Sequence, residues 1–462
     1  MKYVSTRGRA PVLGFDDTLL AGLAVDGGLY VPEAWPRLDA DRLRALAGRP
    51  YVEVATEVVW PFVEGAFDRD VLGALLDDAY ATFDVPEVCP LTDLGDDTWL
   101  LELFHGPTLA FKDVALQAVG WFFEHVLAER GERRTIVVAT SGDTGSAAIE
   151  ACRGRSSLDI VVLFPAGRIS EVQRRQMTTV PDANVHCVAV DGTFDDCQAL
   201  VKGLFADAGL RDRVGLSAMN SINWGRVVPQ AAYYVAAALA IGAPDRVPCF
   251  AVPSGNFGNV LSGDVARRLG LAMHRLAVGT NRNDTLTRFL TTGVLERREV
   301  HATTSPAMDV SVPSNLERLL FELLGRDASA LFDLMGRFAA EGRVEVAPAV
   351  LDAVQTEFDA ARVDEDEVTA TMAATFERRG VVIDPHTAVG LAAAQRCRPS
   401  GAPVVALATA APAKFPDAVE AATGVRPQLP ARLADLLERP ERVTPVAADL
   451  DDVRAVVEAA AS

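Results

Sequence analysis

The sequence predicts an α/β protein built on parallel sheet with helices on both faces. From Trp99 onward a grammar repeats: a short apolar run, a glycine-rich turn, then a helical pattern. The apolar runs do not alternate with polar residues, which marks strands buried on both faces and hence parallel sheet. The third observation is bulk: 462 residues, 49% hydrophobic and 23% charged, form a globular chain too long for a single core. Two or three lobes are expected.

Residues 1–92 read as a first, covering domain of short helical patterns broken by Gly and Pro, with a turn at Asp26-Gly27-Gly28 leading into Leu29–Pro32. Strands follow at Leu100–Phe104, Thr135–Thr140, Asp159–Pro165, Val185–Val190, Cys249–Pro253, Arg275–Thr280 and Val404–Ala408. Residues 93–442 therefore form the core, with a charged helical insertion at about 315–380, and 443–462 make an Ala-rich terminal helix. Ligands of such sheets sit at the carboxyl ends of the strands, where the glycine turns fall.

Charge narrows the partners. A net charge of −19 argues against nucleic acid or an anionic membrane, both of which want a basic face. Six scattered cysteines, without metal-ligand spacing, read as reduced thiols and give neither a metal site nor a disulfide frame. No apolar leader follows Met1, and the longest apolar run, Tyr233–Ile241, is too short to span a bilayer. The expectation is a cytoplasmic chain, monomeric or a small homo-oligomer, acting on a small molecule.

Among the turns, one stands out by residue choice. Only four of the 44 basic side chains are lysine, and one of them, Lys112, follows the turn Gly106-Pro107 and the apolar Leu109-Ala110-Phe111. An amine loses a proton and attacks a carbonyl, which a guanidinium does not, and apolar walls lower its proton affinity. The Ser254-Gly255-Asn256-Phe257-Gly258-Asn259 loop lies between a buried strand and a helix. Its glycines let backbone N–H groups converge on an anion, or simply make a tight turn. It has neither the Lys-Ser/Thr ending of a nucleotide P-loop nor a dinucleotide fingerprint.

Ser141-Gly142-Asp143-Thr144 is a second donor-rich turn, with Asp143 equally a helix cap. Asn220, Ser221, Asn223 and Arg226 crowd amides, a hydroxyl and a guanidinium into seven residues, and Arg226 is the best anion clamp in the chain. A lysine in an apolar wall, a phosphate cradle and donors for a carboxylate are what a pyridoxal 5'-phosphate enzyme requires.

These segments also carry a resemblance. Phe104–Asp113 (FHGPTLAFKD), Thr140–Gly145 (TSGDTG), Phe194–Gln198, Ser221–Trp224, Pro253–Asn259 (PSGNFGN) and Asp384–Gly390 (DPHTAVG) resemble, in order, the threonine synthase family. The openings Tyr3–Gly8 and Asp26–Pro32 are similar to its longer branch with an N-terminal extension, and the likeness runs to about Thr423. It implies the tryptophan-synthase-β fold type, two open α/β lobes with the cofactor between them. It also implies conversion of O-phospho-L-homoserine and water to L-threonine and phosphate.

Carried over, Lys112 is the Schiff-base lysine beside Phe111, Ser254–Asn259 hold the cofactor phosphate, Asp143 lies near the ring hydroxyl and Thr409 meets the pyridine nitrogen. Thr108, Ser141, Gly142, Thr144, Asn220, Ser221, Asn223 and Arg226 are the candidates for the substrate. Where the family typically has a histidine, in TAHPAKF, this chain has Ala411. Two alternatives stand beside this reading: a phospho-lyase releasing 2-oxobutyrate, and a non-catalytic phosphate-binding protein.

Overall fold

The structure, a computed structural model, describes residues 1–140 and 142–461. Two parallel-rich sheets organise it. The larger has the order Phe358–Arg362, Leu276–Thr280, Cys249–Pro253, Val404–Ala408, Thr98–Glu102, Leu91–Gly95, and only the last pair is antiparallel. The smaller runs Thr444–Ala447, Val185–Asp191, Leu158–Pro165, Arg134–Ala139, Leu216–Ser217, all parallel. Cys249–Pro253, Val404–Ala408 and Leu158–Pro165 are buried at every residue, which is why they lack alternation in the sequence.

Three strands lie where only helix was expected: Arg343–Glu345, which pairs with Val294–Glu296, and two sheet edges. Phe358–Arg362, inside the helical stretch 315–380, is the edge strand of the larger sheet and pairs with Leu276–Thr280. Its burial is partial, so an edge position tolerates Asp359 and Arg362 and the apolar signal is weak. Thr444–Ala447, before the terminal helix Leu450–Ala460, adds an edge to the smaller sheet in the same way.

Two long helices position the site. Lys112–Arg130 is buried along most of its length and ends at Gly131 in the left-handed region. Trp224–Ala240 is buried at nearly every residue. The N-terminal segments pack onto this core through polar contacts as well as apolar ones. Tyr3 donates to Phe62 O at 2.6 Å and accepts from Trp224 Nε1 at 3.0 Å. The buried Arg318 donates to Tyr30 O (3.0 Å), Ile222 O (2.6 Å) and Asn315 Oδ1 (2.5 Å). Among the described residues no helix is long and apolar enough to cross a membrane, and no cluster of His, Cys, Asp and Glu is suited to a metal ion.

Candidate active site

Lys112 is the first residue of its helix, at the carboxyl end of the strand Thr98–Glu102. The turn before it is pinned to the end of the neighbouring strand: Phe111 N donates to Thr409 O (2.9 Å) and Ala411 N to Leu109 O (3.0 Å). Thr409 and Ala411 are buried. The turn is also locked from within. Asp113, fully buried, accepts from Thr108 N (2.8 Å) and Thr108 Oγ1 (2.6 Å), so the Thr108 hydroxyl is engaged in shaping the turn. Burial lifts the Asp113 carboxyl to a pKa of about 6 against the pull of these donors.

The Lys112 ammonium lies 4.8 Å from the Phe111 ring centroid and 3.4 Å from Asp143 Oδ2. Burial lowers its pKa; Asp143 raises it, while Lys414 and Arg226 push it down again. Asp143 opens the helix Asp143–Cys152 at the end of strand Arg134–Ala139. Burial alone would neutralise it, yet the charges of Lys414 and Lys112 and a hydrogen bond from Gln173 hold its carboxyl far below the usual range. The turn leading to it is organised by Thr140, whose Oγ1 accepts from Gly142 N (3.0 Å) and Gly145 N (2.9 Å). Thr144 is half-buried in the same turn, and Ser141 lies outside the described residues.

Ser254–Asn259 follows the central strand Cys249–Pro253 and enters the helix Gly258–Leu269 through Phe257, which is left-handed at φ 62°. A Cβ on Gly255 would lie 2.9 Å from Met308 Cα and 3.2 Å from Ala307 O, so only glycine fits beneath that segment. Ser254 N donates to Gly279 O, Asn256 O accepts from Asn315 N, and Gly258 opens the helix. Asn259 Oδ1 accepts from Tyr233 (2.6 Å) and Tyr234 (2.8 Å), whereas its buried Nδ2 has no partner among the described residues.

Arg226 is buried in the first turn of its helix, and Nη1 donates to Met219 O at 3.1 Å. Its Nε has no partner among the described residues, and burial pushes its pKa down to about 10. An unpaired buried guanidinium is costly unless an anion arrives. Asn223 is engaged otherwise: its side chain donates to Leu19 O and Ala218 O and caps the helix through Gly225 N. Asn220 is exposed and Ser221 half-buried, and their carbonyls serve Asn223 N and Asn315 Nδ2.

Lys414, in the segment Thr409–Phe415, joins the site without being among the expected residues. It is fully buried, 2.8 Å from Asp143 Oδ1 and 2.7 Å from Thr108 O. Gln173 and Gln176 join it, donating to Asp143 Oδ1 (2.9 Å) and Thr108 O (3.0 Å). The scarcity that singled out Lys112 applied to Lys414 equally. His386 is a satisfied turn residue: its Nδ1 lies 2.6 Å from the capping Asp384, and Nε2 accepts from Ala307 N.

The site fits a phosphate-bearing cofactor joined to an amine. The Gly255 cradle excludes a side chain, Asn259 Nδ2 and Arg226 Nε are donors without acceptors among the described residues, and Lys112 is a buried amine on the adjoining strand end. This pairing of lysine and glycine loop on two α/β lobes marks one class of pyridoxal-phosphate dependent enzymes, and the family model of that description matches residues 89–349. Two narrower models flank it, "Threonine synthase N terminus" over 2–80 and "Threonine synthase, C-terminal" over 387–457. The chain belongs to the threonine synthase family.

It is 49% identical to the threonine synthase of Pseudomonas aeruginosa, over 99% of this chain and 98% of that one. The crystal structure of PLP-bound threonine synthase from Brucella melitensis is 51% identical with a TM-score of 0.97, covering 100% of this chain and 99% of the other. The yeast threonine synthase structure is 36% identical with a TM-score of 0.93, covering 99% and 98%.

Proposed function

We propose that the protein converts O-phospho-L-homoserine and water to L-threonine and phosphate, as the names of its relatives suggest. The observation that carries the substrate assignment is Arg226, a buried guanidinium whose Nε has no partner among the described residues and whose charge acts on Lys112. A substrate that brings its own phosphate supplies the missing anion there.

In this reading Lys112 holds the cofactor covalently, with Phe111 beside it. The N–H groups of Gly255 to Asn259, with the Ser254 hydroxyl, hold the cofactor phosphate at the start of the helix Gly258–Leu269. Thr409 presents a neutral hydroxyl to the pyridine nitrogen, and Asp143 is the polar neighbour of the ring hydroxyl. The bound cofactor supplies an electron sink for charge developing at Cα and Cβ.

Lys112, released once substrate is bound, takes the Cα proton and then a Cβ proton. The C–O bond at Cγ breaks and its electron pair leaves with phosphate, against Arg226 and the donors of Thr144, Asn220 and Ser221, while the Gly142 N–H stays engaged with Thr140 Oγ1. Water then adds its oxygen at Cβ, and protons return to Cα and Cγ. Asn223 acts here by capping the Arg226 helix and Thr108 by shaping the lysine turn. The chain works in the cytoplasm as a monomer or small homo-oligomer, a reading supported by six unpaired thiols, five of them buried. Residues 1–92 serve as an extension domain, 93–442 as the catalytic core and 443–462 as a terminal segment.

Incubation with O-phospho-L-homoserine tests the assignment. Threonine and phosphate should appear in equal amounts. Accumulation of 2-oxobutyrate and ammonia with the phosphate would make the protein a phospho-lyase instead, and no phosphate release would remove the substrate.

A further inference from the structure

Asp143 is shared between two lysines in a chain that has only four. Oδ1 meets Lys414 at 2.8 Å and Gln173 at 2.9 Å, and Oδ2 faces Lys112 at 3.4 Å. Lys414 has no exposure to solvent, so its charge is unscreened and acts at short range. It is placed by the short helical turn Pro412–Lys414, which directly follows the segment pinned to the lysine turn, and its second contact, Thr108 O, belongs to that turn. The same ammonium therefore touches both structures that fix Lys112.

We propose that Lys414 is a positioning residue for Lys112: it engages Asp143 Oδ1, leaves Oδ2 turned toward Lys112, and by its buried charge makes a second ammonium at position 112 unfavourable. Lys112 thereby gives up its proton more readily, and the neutral amine is the form that attacks a carbonyl or takes a proton from carbon. The charged groups that face it are Asp143 from the helix Asp143–Cys152, Lys414 from the turn Pro412–Lys414 and Arg226 from the helix Trp224–Ala240. Asp113 on its own helix is likewise within reach of the Lys414 charge. One anion against two fixed cations shifts Lys112 toward the neutral amine. Without Lys414 the full charge of Asp143 would fall on Lys112 and retain its proton.

The proposal rests on Lys112 being the cofactor lysine, which borohydride reduction of the loaded enzyme tests separately by mapping the trapped cofactor. Lys414 is tested by the pH dependence of amine acetylation in the full chain freed of cofactor, with modified lysines quantified by peptide mass spectrometry. The exposed Lys2 and Lys202 are internal references. Lys112 should titrate below both. Lys414→Gln keeps a donor for Thr108 O without the charge, and Lys414→Met removes both. Each should raise the Lys112 midpoint by about one pH unit, the lower end of what a neighbouring charge does. Lys414→Arg should leave it near the parent value.

The acid limb of kcat in the loaded enzyme, which reports Lys112 after substrate has released it, should move in the same direction. A merely structural role would lower the melting temperature without moving either midpoint, and unchanged midpoints in a folded Lys414→Gln chain overturn the proposal. If neither uncharged variant folds, the parent chain decides: a Lys112 midpoint equal to that of Lys2 overturns it.

Discussion

Gly120, two turns into the Lys112 helix, lies against the carbonyl of Ala151 on the helix that begins at Asp143. A Cβ at 120 would sit 2.2 Å from that oxygen. This contact sets the distance between the two helices whose first residues are Lys112 and Asp143. Gly120→Ala must push the helices apart, since the opposing atom is backbone and cannot rotate away. The expected cost is about 1–3 kcal/mol, as for other overpacked sites, seen as a lower denaturation midpoint. Because the shift separates Lys112 from Asp143, kcat should fall more than KM rises. Wild-type stability in this variant would show that the helices are set by something else.

Lys112→Ala should abolish turnover and the cofactor trapped by borohydride, while circular dichroism stays that of the parent. The fold should survive because Asp143 keeps Lys414 and Gln173 as partners. Measurable threonine formation in this variant would exclude Lys112 as the proton carrier.

Arg226 invites a paired measurement. Arg226→Ala should weaken substrate binding by about 1.5–3 kcal/mol, the range for a charged hydrogen bond, appearing mainly as raised KM. Arg226→Met should at the same time raise the melting temperature of the ligand-free chain, because it removes a buried charge that lacks a carboxylate partner among the described residues. With the cofactor bound, so that its own phosphate fills the Ser254–Asn259 loop, added phosphate should stabilise the parent more than the variant. Equal stabilisation of both chains would take Arg226 out of the anion site.

How much of this was legible in the sequence follows from burial. Strands buried on both faces, such as Cys249–Pro253, read clearly, and so did the glycine loops that follow them. Phe358–Arg362 did not, because an edge strand half open to solvent keeps Asp359 and Arg362 and sits between helices. Lys112 was legible through its rarity and its apolar neighbours. Lys414 was equally rare, but its partners Asp143 and Thr108 lie about three hundred residues earlier in the chain. Local spacing carries no signal for such a contact. The engagement of Asn223 was likewise only partly legible: its cap on Gly225 N and its bond to Ala218 O are local, but Leu19 O comes from another region of the chain.

Asp113 predicts a pH dependence. Its carboxyl is raised from 3.8 to about 6 by burial, so between those values the folded chain binds a proton that the unfolded chain has lost. Stability from this group therefore falls as pH rises from about 4 to about 6, by on the order of 2–3 kcal/mol at most. Asp113→Asn removes the titration. The stability difference, parent minus variant, should decline across that window and level off above it. A difference that is flat with pH would mean that Asp113 keeps an ordinary acidity.

The N-terminal segments bear on the site through Arg318. Arg318 is fully buried over the Trp224 ring, 5.4 Å from its centroid, and links Tyr30 O in the extension to Ile222 O in the turn before Arg226. Burial pushes its pKa down to about 9, so it remains charged at neutral pH. Arg318→Ala leaves two carbonyls and Asn315 Oδ1 without a donor and opens a void beside Trp224. The loss should be about 3–5 kcal/mol, in the range for removing one member of a buried polar network, with a red shift of Trp224 emission as water enters. Arg318→Met refills the void but supplies no donor, so it should recover the emission and only part of the stability. Since Ile222 precedes Arg226 by one helical turn, KM for O-phospho-L-homoserine should rise in both variants. Should Arg318→Met restore stability in full, packing against Trp224 and not the bridge to Tyr30 would be what holds the extension in place.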